Sequence, residues 1–84
     1  MIAVEKPATF IDYFRVKLAS CTRNYLTAIL KDETGDECAR LETVLKSDPA
    51  ELTWKNLDHL PYGIYTLILK QDDEEVCLKM VKRI

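Results

Sequence analysis

Leu57-Asp58-His59-Leu60-Pro61-Tyr62-Gly63-Ile64-Tyr65-Thr66-Leu67-Ile68-Leu69 contains a turn followed at once by the most apolar strand in the chain. Pro61 fixes its own φ and biases Leu60 away from the helical region, and Gly63 accepts a backbone angle that other residues resist. The chain is re-aimed between them. From Ile64 to Leu69 the residues are β-branched, aromatic or leucine, with apolar groups on both faces. That composition belongs to a strand that is central in its sheet or covered on both sides.

Downstream, Gln71-Asp72-Asp73-Glu74-Glu75 is a charged turn, after which Val76, Leu78 and Met80 alternate with Cys77, Lys79 and Val81. The period of two predicts a last strand hairpinned to the Tyr65 strand. Upstream, Phe14, Val16 and Leu18 alternate with Arg15 and Lys17, the pattern of a strand with one face in water. Tyr25 to Leu30 is a second strand with apolar groups on both faces, closed by Asp32-Glu33-Thr34-Gly35-Asp36, where Gly35 is placed to take a positive φ.

Local signals conflict over residues 36–56. Apolar residues at 38, 41, 44 and 45 have helical spacing, and Ser47-Asp48-Pro49-Ala50-Glu51 resembles a helix start. On the other parity, Ala39, Leu41, Thr43 and Leu45 alternate with Cys38, Arg40, Glu42 and Val44, and Leu52-Thr53-Trp54-Lys55 reads as a strand. The strand reading is preferred because Gly35 completes a hairpin turn and a sandwich needs these segments to cover its core. An α+β arrangement with helix in 36–56 is the alternative.

At 84 residues the chain is expected to form one domain, residues 10–84, preceded by an irregular arm at 1–9 that has mixed polarity and a proline. A formal net charge of -2 disfavours nucleic acid and anionic membranes as partners. No apolar run approaches the length of a membrane span, and Met1-Ile2-Ala3-Val4-Glu5-Lys6-Pro7 has neither the basic start nor the apolar run expected of a secretory signal. Cys21, Cys38 and Cys77 are odd in number and lack Cys-x-x-Cys spacing, so free, structurally buried thiols are expected. Only Cys21, beside Arg23, comes near the positive setting of a reactive thiol.

His59, the only histidine, reads as a solvated turn residue rather than a metal ligand, and the acidic turns read as solubilising tips rather than calcium loops. No Ser-His-Asp set assembles, and the only glycines are Gly35 and Gly63, so there is no phosphate loop. Neither catalysis nor a cofactor is expected. Tyr65, two residues after the turn glycine, stands where β-sandwiches place a tyrosine whose hydroxyl bonds back to nearby backbone. Trp54 is expected in the core or partly covering it. Lys79, Lys82 and Arg83, with Lys70 on the neighbouring strand, make a candidate basic strip. Such a strip either protects an edge or is read by a partner through β-addition or charge.

Taken together, a strand closed by Asp32-x-x-Gly35, the run Leu57-x-x-Leu60-Pro61-x-Gly63-Ile64-Tyr65-x-Leu67 and the ending Lys79-Met80-Val81-Lys82-Arg83 resemble the C-terminal sorting domain of type IX secretion cargo proteins from Bacteroidetes. The match covers about Tyr13 to the end. The resemblance implies an all-β, immunoglobulin-like antiparallel sandwich of about six to seven strands, docked onto a secretion and attachment machine. The turn residues Asp32, Gly35, Pro61, Gly63 and Tyr65 are then structural, and Lys70, Lys79, Lys82 and Arg83 contact the protein partner. The chain departs from that pattern in having three cysteines, and a sorting domain is expected to follow a signal peptide and a cargo domain. The competing expectation is a free-standing structural or assembly protein that reuses the sandwich, with homo-oligomers possible. Its location is cytoplasmic if Met1 is the natural start, and at the cell surface if the domain was excised.

Overall fold

A computed structural model describes residues 3–19, 25–46, 50–72 and 74–83. Eight strands run in chain order: β1 (Ala3–Glu5), β2 (Thr9–Phe10), β3 (Phe14–Ala19), β4 (Tyr25–Lys31), β5 (Glu37–Val44), β6 (Ala50–Trp54), β7 (Gly63–Gln71) and β8 (Glu74–Lys82). They form a three-stranded sheet ordered β1-β3-β6 and a five-stranded sheet ordered β2-β8-β7-β4-β5.

The residues 36–56 are strand wherever they are described, apart from short connections, and carry no helix. In β5 the side chains of Ala39, Leu41 and Thr43 are half-buried while Arg40, Glu42 and Val44 are exposed, the parity of the strand reading. The helical spacing of 38, 41, 44 and 45 loses because an amphipathic helix there would leave β4 without its edge partner. Instead β4 pairs antiparallel with β5 from Tyr25↔Val44 to Leu30↔Ala39, and a shift to Lys31↔Glu37 leaves Cys38 as a bulge. Ala50 and Glu51, read above as part of a helix start, lie in β6, paired with β3 through Leu18↔Ala50 and Lys17↔Glu51. Ser47, Asp48 and Pro49 lie outside the described residues.

The arm at 1–9 is more structured than its composition suggests. Ala3–Glu5 pairs antiparallel with β3, and Thr9–Phe10 joins the other sheet by pairing parallel with the end of β8. Pro7, which has no N–H to give to a ladder, falls in the gap between the two pieces. The first strand is thus split between the sheets, which raises the count to eight and makes the β2–β8 pairing the single parallel one among the described residues.

One apolar cluster lies between the sheets. β3 contributes Phe14, Val16 and Leu18; β4 contributes Leu26, Ala28 and Leu30; β7 contributes Tyr65, Leu67 and Leu69. Leu52, Trp54 and Met80 close it from the flanking strands, and Phe10 from the split first strand meets Phe14 edge-on at 5.3 Å between ring centres. Inward side chains on β4 and β7 are fully buried, whereas those on β5 (Ala39, Leu41) and on most of β8 (Val76, Leu78) are only partly so. The smaller sheet therefore covers the middle of the larger one and stops short of its margins.

Candidate functional site

The turn that organises the chain is built as its residues require. Gly63 has φ +151°, in the region that favours glycine, and a Cβ there would stand 3.0 Å from Glu33 Oε1. The same oxygen accepts the N–H of Ile64 at 3.2 Å, which ties the tip of the β4–β5 hairpin to the start of β7. Tyr65 is 3% exposed, and its hydroxyl donates to the Pro61 carbonyl at 2.6 Å, as its position after the turn predicts. Burial raises the phenol above its usual pKa, with the charges of Cys38, Asp32 and Glu33 acting in the same direction.

At the hairpin tip, Asp32 Oδ1 accepts from the Thr34 N–H at 2.9 Å, the Thr34 hydroxyl at 2.6 Å and the Asp36 N–H at 3.0 Å. The Thr34 hydroxyl does most to hold this carboxyl below its ordinary pKa. The Asp32 carbonyl also accepts the N–H of Gly35, whose φ is +89°. This is an Asx-type turn in which the acidic side chain replaces backbone. Among the described residues, no three His, Cys, Asp or Glu side chains come together as a metal-ligand group.

The candidate partner surface is the last hairpin. The β7–β8 register runs from Gly63↔Lys82 to Gln71↔Glu74, and Asp72 takes φ 52° at the tip, an angle that Asp tolerates in tight hairpins. Tyr65, Leu67 and Leu69 point inward, so Ile64, Thr66, Ile68 and Lys70 face outward with Cys77, Lys79 and Val81. This parity divides the predicted basic strip. Lys82 shares the inner face with Met80, is 6% exposed and donates to the Arg83 carbonyl at 3.1 Å. Lys70 lies at the far end of the outer face, 3.6 Å from Glu75.

What remains of the strip gains a member from another strand. Thr66 is opposite Lys79 on β8 and opposite Lys31 on β4, so the two lysines flank it in one cross-strand row. The next row is Ile64 and Val81, 47% and 39% exposed, and Arg83 follows on the same side. Lys31, Lys79 and Arg83 thus frame a small aliphatic patch. No sequence spacing links Lys31 to this group, because it comes through the β4–β7 pairing.

Beside the patch runs an open edge. The N–H groups of Val81 and Arg83 donate to the carbonyls of Ala8 and Phe10, so odd-numbered residues of β8 direct their backbone groups away from β7. β2 meets only Val81 and Lys82. By the same period of two, Cys77 and Lys79 present backbone N–H and C=O groups where no described strand lies alongside. Cys77 is exposed and Cys38 is only partly buried, which corrects the expectation of buried thiols. The larger residues of the neighbouring strands fill the core instead, while these two cysteines sit on margins of the larger sheet. Burial and the nearby Asp32 raise the Cys38 thiol above its ordinary pKa. Cys21 and Arg23 lie outside the described residues.

Fold and site together define an all-β sandwich whose last hairpin carries, among the described residues, an open edge and a cation-framed patch. No protein-family model matches the chain, and no curated protein matches it significantly.

Proposed function

We propose that the chain is a non-enzymatic protein-interaction module, docked by a protein partner through its C-terminal hairpin in the manner of a type IX secretion sorting domain. The observation that carries this reading is the edge of β8 beyond the reach of β2. There no described strand lies against the backbone groups of Cys77 and Lys79, and Lys79 and Arg83 of the same strand end share the outer face of the sheet with Lys31, two strands in from the edge. An extended segment of the partner adds along that edge by main-chain hydrogen bonds, and the cations select an acidic segment.

The test is export of a reporter by a type IX-competent host, with the whole chain fused behind a signal peptide and the reporter, because β1 and β2 belong to the fold. Surface delivery is expected for the native sequence. Charge reversal by Lys79→Glu with Arg83→Glu is expected to reduce delivery at least tenfold, and Lys82→Met to leave it unchanged because that side chain faces the core. A native fusion retained in the periplasm refutes the sorting reading. Delivery that survives the double reversal refutes the placement of the contact.

A further inference from the structure

The opposite margin of the larger sheet is also an open edge, and its sequence is complementary to itself. β5 pairs with β4 on one side and with no described strand on the other. The direction of its backbone groups follows from β8 across the sheet. Odd residues of β8 face β2, so the even ones bond to β7, the even residues of β7 bond to β4, and the even residues of β4 bond to β5. The pairs Ala28↔Leu41 and Leu30↔Ala39 are therefore the hydrogen-bonded ones, and Arg40 and Glu42 direct their N–H and C=O groups outward.

A second copy added along this edge under a two-fold axis must keep inner residues opposite inner residues, because a slip of one residue exchanges the two faces of the sheet. Every register centred on a residue satisfies that, so the outer charges distinguish among them. Centred on Arg40, or on Glu42, the pairing sets like charges against each other. Centred on Leu41, it places Arg40 of each copy opposite Glu42 of the other, each pair exchanging two backbone hydrogen bonds. Leu41 then meets its own equivalent in the close, non-hydrogen-bonded position.

The inner face favours the same register. Leu41 and Ala39 are only partly buried within one chain because the three-stranded sheet stops short of β5. Within the single chain Arg40 is held by Glu37 at 2.9 Å and lies 4.0 Å from Glu42, so the guanidinium already sits among the carboxylates on the outer face. An edge protected against pairing commonly carries lysines of one sign or a bulge in its middle. Here the bulge lies at Cys38, near one end, and the central charges alternate in sign.

We infer that β5 is the interface for a second copy of this chain, which pairs antiparallel about Leu41 so that one sheet runs continuously through both copies. Contact along one strand is small, below the ~1,200 Å² of standard stable interfaces, so the dimer forms in a concentration-dependent manner. The surface is separate from the β8 edge, and each copy keeps its last hairpin free.

Sedimentation equilibrium of the full chain from micromolar to millimolar concentration tests this. The mass is expected to rise from 9.7 kDa toward twice that value. Arg40→Glu alone and Glu42→Arg alone each set like charges across both symmetry-related pairs and are expected to weaken association by roughly tenfold or more, because each change counts twice. An equimolar mixture of the two variants restores opposite charges in every cross-strand pair, and a heterodimer is expected at least as tight as the native dimer. The mixture also guards against misfolding, since an unfolded variant has no edge to offer. A native chain that stays at 9.7 kDa to millimolar concentration overturns the inference. So does a dimer indifferent to both reversals, or single variants that dissociate and fail to pair when mixed.

Discussion

The hydroxyl of Tyr65 offers the sharpest test of how the organising turn is held. Tyr65→Phe keeps the ring, which is 3% exposed and packs edge-on to Phe10 at 6.1 Å, and removes only the 2.6 Å bond to the Pro61 carbonyl. A neutral hydrogen bond contributes about 1 kcal/mol net, and a fully buried acceptor left alone costs up to about 3 kcal/mol. Pro61 is exposed, so water reaches the orphaned carbonyl and the loss stays near the lower figure. The expected destabilisation is about 1–1.5 kcal/mol, which for a domain of this length lowers Tm by roughly 5–10 °C. Tyr65→Ala also removes the ring and is expected to cost about 3–5 kcal/mol. Urea unfolding followed by the fluorescence of Trp54, a buried residue beside Phe14, measures both, with an unchanged m-value confirming that the unfolded state is unaltered.

The same substitution has a signature in pH. Burial raises the Tyr65 phenol in the folded state above its unfolded value of about 10, so over a window above pH 10 the native chain keeps a proton that the unfolded chain has lost. Stability therefore falls as pH rises from about 10 to the folded pKa. Tyr65→Phe is expected to flatten that alkaline loss. A Tyr65→Phe variant within about 0.3 kcal/mol of native stability, with its alkaline slope intact, refutes the assignment of the turn's anchoring to the hydroxyl.

Two further outcomes follow from the turns. Gly63→Ala is expected to cost about 1–3 kcal/mol, because the φ of +151° is strained for any residue with a Cβ. Adding Glu33→Ala removes the 3.0 Å contact but leaves the strain, so a double variant of native stability in the same urea assay contradicts the backbone explanation. Asp32→Ala is expected to lower Tm at neutral pH and to flatten its acid dependence. The Asp32 carboxyl is held below its ordinary pKa, so its stabilisation is present above the unfolded value of about 3.9 and disappears as pH falls through the folded value. A Tm profile from pH 7 to 2 identical in shape to the native one sinks that assignment.

Sequence and structure agree most closely where one local rule operates unopposed. The alternation in β3 and β8, the Gly35 turn and the Pro61–Gly63 turn followed by Tyr65 were all legible, because each depends on residues a few positions apart. Over 36–46 two periods competed, and pairing with β4 decided for strand. The short strands near the N-terminus carried too few residues for any period to show. They exist because β3 and the end of β8 offer them partners far away in the chain.

The candidate site was legible only in part. Lys79 and Arg83 follow from the parity of one strand, whereas Lys82 belongs to the other parity and turns into the core. Lys31 enters the patch from β4, and the open edge of β8 exists because β2 stops after two residues.

By itself the sequence determined most of the strands and where the tightest turns fall, since steric limits on φ and the period of two act within a few residues. Tertiary structure alone decided which strands lie at the margins, which cations share a face and which backbone groups remain open. Those properties belong to pairings between distant segments, and no local spacing encodes them.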